Sequence, residues 1–368
     1  MDTSTQADRG LVDVLPGEGE RKKPIFAVLV KRSYEIRHGE PPTRAEKTRP
    51  FVLADQYYDD DPENCTIRSE AELVPYKRGV DVVVVDGKAY APKGRAVLEM
   101  DVSVEIGPCR KRLRVIGDRT CSFVERRPPR FSDPEEFTEM EIRYERAYGG
   151  RDDRSDPEMP FLYPRNFFGR GLAVHNVKEV IEGLSLPNIE DPEDLVTAER
   201  LVLGDVRRWN GQPLPQGIGW FQKTWYPRCS YVGSVPGNIL PTDVPKEARL
   251  GLVPEDQIAL ARQFKLPAFD VRFNNGASPG LIATELSGDE TVRLMNLTPD
   301  GRLEFPLPGD RPEIMLDIGL GKNTLETRLH TVCIRCGEMR VDLIWQGAHE
   351  YPGYDWLPEM KRLVVEVS

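Results

Sequence analysis

From Ile25 onward the chain alternates apolar and polar positions. Phe26, Val28, Val30, Tyr34 and Ile36 fall on one side, and Lys31, Ser33, Glu35 and Arg37 on the other. Successive side chains leave a strand on opposite faces, so this rhythm predicts a half-buried β-strand. The clearest case is Ala96, Leu98, Met100, Val102, Val104 and Ile106, interleaved with Glu99, Asp101, Ser103 and Glu105. The even positions are expected in the core and the odd ones in solvent, because a one-residue slip inverts every side chain. Val82, Val83, Val84 and Val85 form an all-apolar, more deeply buried strand. Leu113 with Val115, and Met140 with Ile142 and Tyr144, add two more. Turn residues at Asp86-Gly87, Pro92-Lys93-Gly94, Gly107-Pro108 and Gly117-Asp118 separate them. The first third therefore reads as an antiparallel sheet or sandwich.

Between residues 149 and 288 the alternation stops. Val177, Val180, Ile181 and Leu184 have helical spacing, as do Ile258, Leu260, Ala261 and Phe264 behind Pro254-Glu255-Asp256. The remainder is loop, rich in Pro, Gly and aromatics. Strands resume at Val292-Leu294 and Leu303-Leu307, joined by Thr298-Pro299-Asp300-Gly301. They continue at Ile314-Ile318, Leu325-Ile334, Met339-Trp345 and Leu363-Val367. The predicted fold class is mainly β, with antiparallel, sandwich-like sheets and a loop-rich middle carrying a few short helices. Residues 1–23, broken by Pro16 and Gly17, read as a flexible tail. Residues 24–368 read as one large β-rich domain with an N-terminal β lobe (24–148), a middle (149–288) and a C-terminal β lobe (289–368).

Composition narrows the function. Fifty Lys and Arg against 60 Asp and Glu leave a net charge of −10 over 368 residues. Nucleic-acid and anionic-membrane binders need basic surfaces, so neither partner is expected. The longest apolar run, residues 25–30, is far short of the ~20 residues of a membrane helix. The first residues lack the cationic and apolar regions of a signal peptide, so the expected location is the cytoplasm. Six cysteines are expected to stay reduced there.

Candidate chemistry is sparse. Cys333-Ile334-Arg335-Cys336 lacks a second ligand pair and a strand–helix junction, so it reads as buried thiols and no metal is expected. Tyr57-Tyr58-Asp59-Asp60-Asp61-Pro62 lacks calcium-loop spacing and reads as a solvated loop. Gly149-Gly150 and Gly169-Arg170-Gly171 match no nucleotide-binding signature, and no cofactor is expected. Arg110, Lys111, Arg112 and Arg114 read as the wet face of a strand. The middle crowds large aromatics: Phe161, Tyr163, Phe167 and Phe168, then Trp220, Phe221, Trp225 and Tyr226. Such side chains anchor either a core or an interface, and these eight are the candidate partner-binding residues.

Longer strings carry a resemblance. Residues 102–119, Val-Ser-Val-Glu-Ile-Gly-Pro-Cys-Arg-Lys-Arg-Leu-Arg-Val-Ile-Gly-Asp-Arg, resemble a block of the domain of unknown function 2169 family. Residues 137–150 resemble its next block, ending Arg143-Tyr144-Glu145-Arg146-Ala147-Tyr148-Gly149-Gly150. Asn166-Phe167-Phe168-Gly169-Arg170-Gly171, Leu186-Pro187-Asn188-Ile189-Glu190-Asp191-Pro192 and Thr224-Trp225-Tyr226-Pro227-Arg228 follow in order. Arg272-Phe273-Asn274-Asn275-Gly276-Ala277 and Leu286-Ser287-Gly288-Asp289-Glu290 complete the series, which runs from about residue 25 to about residue 320. Where the family tends to Gly-Thr-Tyr-Asp, this chain has Gly233-Ser234-Val235-Pro236. The resemblance implies a bacterial adaptor or chaperone found beside type VI secretion genes. Its implied partners are a PAAR-like spike-tip protein, a toxin effector and the VgrG spike, and it carries over no catalytic residue. The competing class is a hydrolase or carbohydrate-acting enzyme assembled on the central loops from His175, Glu190 and Asp191.

Overall fold

The computed structural model describes residues 10–19, 23–232, 269–317, 319, 321–351 and 364–368. The chain is mainly β, in several sheets. The largest runs in the order Leu11–Glu18, Pro24–Glu35, Arg340–Glu350, Thr327–Arg335, Val80–Val84 and Ile282–Ala283, with Thr43–Arg44 also on Pro24–Glu35. Its pairings are antiparallel except that Thr327–Arg335 lies parallel to Val80–Val84. A five-stranded antiparallel sheet runs Ile189–Glu190, Cys109–Ile116, Glu99–Ile106, Thr291–Met295, Arg302–Pro306. Lys322–Leu325, Ile314–Asp317 and Val364–Val367 make a third sheet. Both large sheets thus combine strands from the first and last thirds of the chain, so the two expected β lobes interleave. The helix Lys178–Ile181 sits where helical spacing predicted one. The one predicted around Ile258–Phe264 lies outside the described residues.

One apolar core joins the two large sheets, through Val82, Val84, Val102, Val104, Leu113, Leu294, Phe305, Val332 and Leu343 among others. The third sheet covers the other side of Pro24–Glu35, where Phe26, Val28 and Val30 meet Ile314, Leu316, Leu325 and Val367. This corrects the half-buried reading of that strand: eleven of its twelve residues are buried, leaving only Glu35 exposed. Lys31 and Ser33, expected in solvent, are inside and paired. Lys31 Nζ donates to Glu72 Oε2 at 2.5 Å and to the Pro50 carbonyl at 3.0 Å, and Ser33 Oγ donates to Asp342 Oδ1 at 2.6 Å.

Two further boundaries move. Leu11–Glu18, read as part of a tail, pairs along its length with Pro24–Glu35, and Val12 and Val14 pack on the third sheet's core. Pro16 hid this strand from the sequence. The Val14 N–H turns away from the ladder to the Asp13 carboxylate at 2.7 Å. Pro16 shares its parity and therefore gives up no bond to the neighbouring strand. In the other case the strand begins at Glu99, not Ala96. Met100, Val102, Val104 and Ile106 are buried as expected, whereas Ala96 and Leu98 are exposed, and Asp101, Ser103 and Glu105 are half-buried.

These burials set a paired prediction. Val104→Asp puts an uncompensated carboxylate in the core and is expected to lower stability by more than about 4 kcal/mol. Leu98→Asp, at a position 48% exposed, is expected to change it by less than about 0.5 kcal/mol. Chemical denaturation of both variants checks this; similar losses in the two would overturn the strand boundary.

Candidate functional site

Six of the seven strings singled out in the sequence meet in two polar knots; Leu286–Glu290 closes its own turn elsewhere, with Glu290 accepting from the Ser287 and Gly288 N–H groups. The first joins residues 117–119, 144–150, 166–171 and 186–190. Gly149 and Gly150 have φ of +142° and +104°. A Cβ at Gly149 would lie 2.4 Å from the Asn166 carbonyl oxygen, and one at Gly150 2.4 Å from that of Gly169. Only glycine permits this approach of two backbones. Asn166 Nδ2 donates across the gap to the carbonyls of Tyr144 at 2.8 Å and Tyr148 at 3.2 Å. Beside it, Asn188 Oδ1 accepts from Arg146 and Arg170, while its Nδ2 donates to the Ile116 carbonyl and to Asp118. Arg119 closes the group on Glu190 at 2.5 Å. Burial raises the Glu190 carboxyl pKa against the lowering effect of its Val196 N–H bond and of Arg119.

The second knot gathers residues 70–81, 220–228 and 272–276 against the large sheet. Arg228 binds Glu70 in a fork, Nη1 to Oε2 at 2.7 Å and Nη2 to Oε1 at 2.5 Å. Its Nη1 also donates to the Phe221 carbonyl and its Nε to that of Phe273. Both side chains are buried. A fork to a carboxylate fixes direction as well as charge. Asp81 accepts from Lys77 Nζ at 2.6 Å, the Gly276 N–H at 2.9 Å and Asn275 Nδ2 at 3.0 Å. Lys77 also donates to Thr331 Oγ1, beside His330, whose Nε2 lies 3.1 Å from the Val74 carbonyl. Burial and the Lys77 charge push the His330 pKa well below its ordinary value. Gly276 has no room for a side chain: a Cβ would stand 2.2 Å from Glu70 Oε2. A cavity of about 460 Å³ adjoins this knot, lined by Phe221, Arg228, Tyr231, Arg272 and Ile282 among others.

The eight aromatic candidates divide. Tyr163, Trp220, Phe221, Trp225 and Tyr226 are buried, with Trp225 at 0% exposure. Four of them stack edge-to-face within the interior: Tyr144 on Trp225 at 5.1 Å, Phe221 on Trp225 at 5.3 Å, Tyr148 on Tyr163 at 5.1 Å and Trp209 on Tyr226 at 5.3 Å. The structure thus places Tyr163, Trp220, Trp225 and Tyr226, expected as partner anchors, in the interior, whereas Phe221, though buried, lines the cavity of about 460 Å³. Phe161, Phe167 and Phe168 are half-buried. Phe161 lines a cavity of about 310 Å³ with Met159, Val174, His175 and Val206. Met159 is 75% exposed and Val206 39%. Neither carries a signal in the sequence, since a lone apolar residue in a loop or a short helical turn has no periodicity.

The enzyme-like trio is not assembled by any described contact. His175 lines that cavity, Glu190 is held by Arg119 and the Val196 N–H, and the Asp191 carboxylate caps its own turn at Glu193. Asp61 likewise accepts from Glu63 and Asn64 within its turn. Cys333 and Cys336 are free and buried, and burial pushes both thiols up to about 12. Among the described residues no group of three or more His, Cys, Asp and Glu is placed to hold a metal, and no helix is long and apolar enough to cross a membrane. Gly233-Ser234-Val235-Pro236 lies outside the described residues.

Comparison with known families gives a match to the model of an uncharacterized protein conserved in bacteria (DUF2169) over residues 21–346. No curated protein and no solved structure matches the chain.

The second knot yields two measurable consequences. Glu70→Ala leaves the buried Arg228 charge uncompensated and is expected to cost about 3–5 kcal/mol. In the double variant with Arg228→Met the loss is expected to fall about 1–3 kcal/mol short of the sum of the singles, and strict additivity would deny the pair. His330, with its pKa lowered on folding, takes up a proton more readily in the unfolded chain. Its contribution is therefore complete above about pH 6.5 and declines as the pH falls below that. His330→Gln is expected to flatten the acid limb of stability against pH relative to the parent protein, read from denaturation midpoints at several pH values.

Proposed function

The chain belongs to the DUF2169 family, and on that premise we propose that it is a non-catalytic adaptor or chaperone. It binds a type VI secretion effector, a PAAR-like spike-tip protein or both, and helps load them onto the VgrG spike. The observation that carries this reading is where the family strings direct their polar groups. Asn166, Asn188, Arg119, Arg228 and Asn275 all bond to other parts of the same chain. The strings build a frame, and recognition falls to the outside of that frame. Rigid sheets that display loops suit such a task. Exposed apolar side chains support a protein partner: Met159 and Val206 flank the cavity that Phe161 lines, and the exposed Leu162 follows Phe161 in sequence. Binding that covers apolar surface of a client stabilises the folded client by mass action until assembly.

Co-expression with the neighbouring PAAR-like protein and effector is expected to give a complex that survives size-exclusion chromatography. Met159→Asp combined with Val206→Asp is expected to weaken capture about tenfold or more at an unchanged unfolding midpoint. Full capture by that variant would move the partner face elsewhere. Failure of the cognate proteins to associate at all would defeat the adaptor reading.

A further inference from the structure

Strand Cys109–Ile116 lies next to the end of its sheet, with Ile189–Glu190 as its outer neighbour. That neighbour covers only the far end, pairing Ile189 with Val115 and Glu190 with Arg114. Beyond Glu190 the chain turns away, with the Asp194 N–H bonded to the Asp191 carbonyl. Among the described residues, none pairs with the near half of the edge.

The direction of its backbone groups follows from the far end. Ile116 sends its N–H outward to the Asn188 carbonyl and accepts from Asn188 Nδ2. Residues of an antiparallel strand alternate in this respect, so Arg114, Arg112 and Arg110 also turn their N–H and C=O outward. No described residue bonds the backbone of Arg110 or Arg112. Their side chains are exposed, whereas Cys109, Lys111 and Leu113 point inward and are buried. Arg114 is neutralised by Asp101 and Glu99. Among the described residues, Arg112 has a single ion-pair contact, at 3.5 Å with the largely exposed Glu193, and Arg110 has none. Across the sheet, Glu105 stands opposite Arg110 and Ser103 opposite Arg112.

The occupant can be argued from charge. A second copy pairing edge to edge would set these arginines against their own counterparts, which is unfavourable. The chain's own segment on this edge, Ile189-Glu190, and the Asp191-Pro192-Glu193 turn that follows it are acidic in character, and Glu193 reaches back to Arg112. We propose that the open edge at Arg110 and Arg112 takes an extended, acidic segment of a partner protein as an added strand, continuing the line begun by Ile189–Glu190. Main-chain bonds supply the hold and alternate side chains the choice. Acidic residues of the segment meet the arginines on the solvent face, and apolar ones lie on the side of Lys111. The inference rests on the adaptor reading for its partner, but its geometry does not.

The test uses the full chain and capped peptides of about eight residues, one alternating glutamate with valine and one alternating lysine with valine. The glutamate peptide is expected to bind more weakly as salt rises and to slow amide exchange at Arg110 and Arg112 by about tenfold or more. Arg110→Glu with Arg112→Glu is expected to reverse the preference toward the lysine peptide. Arg112→Pro, which removes an outward N–H at a position where an edge tolerates proline, is expected to weaken the glutamate peptide as well. The proposal is overturned if the parent protein does not bind the glutamate peptide, if the charge-reversed protein binds it equally, or if exchange at the two arginines stays fast in the complex. The client provides the separate arm. Capture of the client at full strength by the charge-reversed protein overturns the edge as its docking place and leaves the adaptor reading intact. Failure of the parent protein to capture any client defeats the adaptor reading while the peptide result stands.

Discussion

A buried charge must be matched, and in this protein matched charges tie loops to strands, loops to one another and strand to strand. Lys31 with Glu72, Lys77 with Asp81, Arg228 with Glu70, and Arg335 with Asp342 are all nearly inaccessible to solvent. Removing such pairs from water is costly, and their mutual attraction offsets that cost only when the geometry is good and the remaining donors are satisfied. Here they are: Arg228 reaches two backbone carbonyls besides its carboxylate, and Asp81 takes three donors. Segments such as 70–79 and 272–276 have little regular structure with which to bury an apolar face. Directional polar bonds give them one place to lie.

The elements legible in the sequence were those governed by local periodicity. Met100 to Ile106 alternates because one face of its sheet meets the core, and the 291–306 hairpin reads clearly around its Pro-Asp-Gly turn. Strand Pro24–Glu35 misled because a second layer covers its other face and Lys31 finds its partner 41 residues away. The aromatics misled for a different reason. Composition counts large rings but does not say whether they face inward, and Trp225 and Phe168 read alike until one is seen to be sealed and the other half open. The polar knots were illegible in principle, since Glu70 and Arg228 lie 158 residues apart.

The strings that identify the family therefore mark assembly points of the frame. Gly149 and Gly150 are there because two backbones touch, and Gly276 because Glu70 and Arg228 leave no space. Features on the outside have weaker signatures: Met159 in a loop, Val206 in a short helical turn, two arginines on a half-covered strand. A frame encoded by long strings can thus present surfaces encoded by single residues, and those surfaces are free to change without disturbing it.

The interleaving of the large sheet has a consequence for how the protein is made. Ser33 waits for Asp342, 309 residues further along the chain. At a ribosomal pace of about 5–20 residues per second, that interval lasts roughly 15–60 s. Throughout it the apolar residues 25–30 have no permanent neighbour on the Arg340–Glu350 side. The largest sheet therefore gains its Arg340–Glu350 strand only once nearly the whole polypeptide has been made.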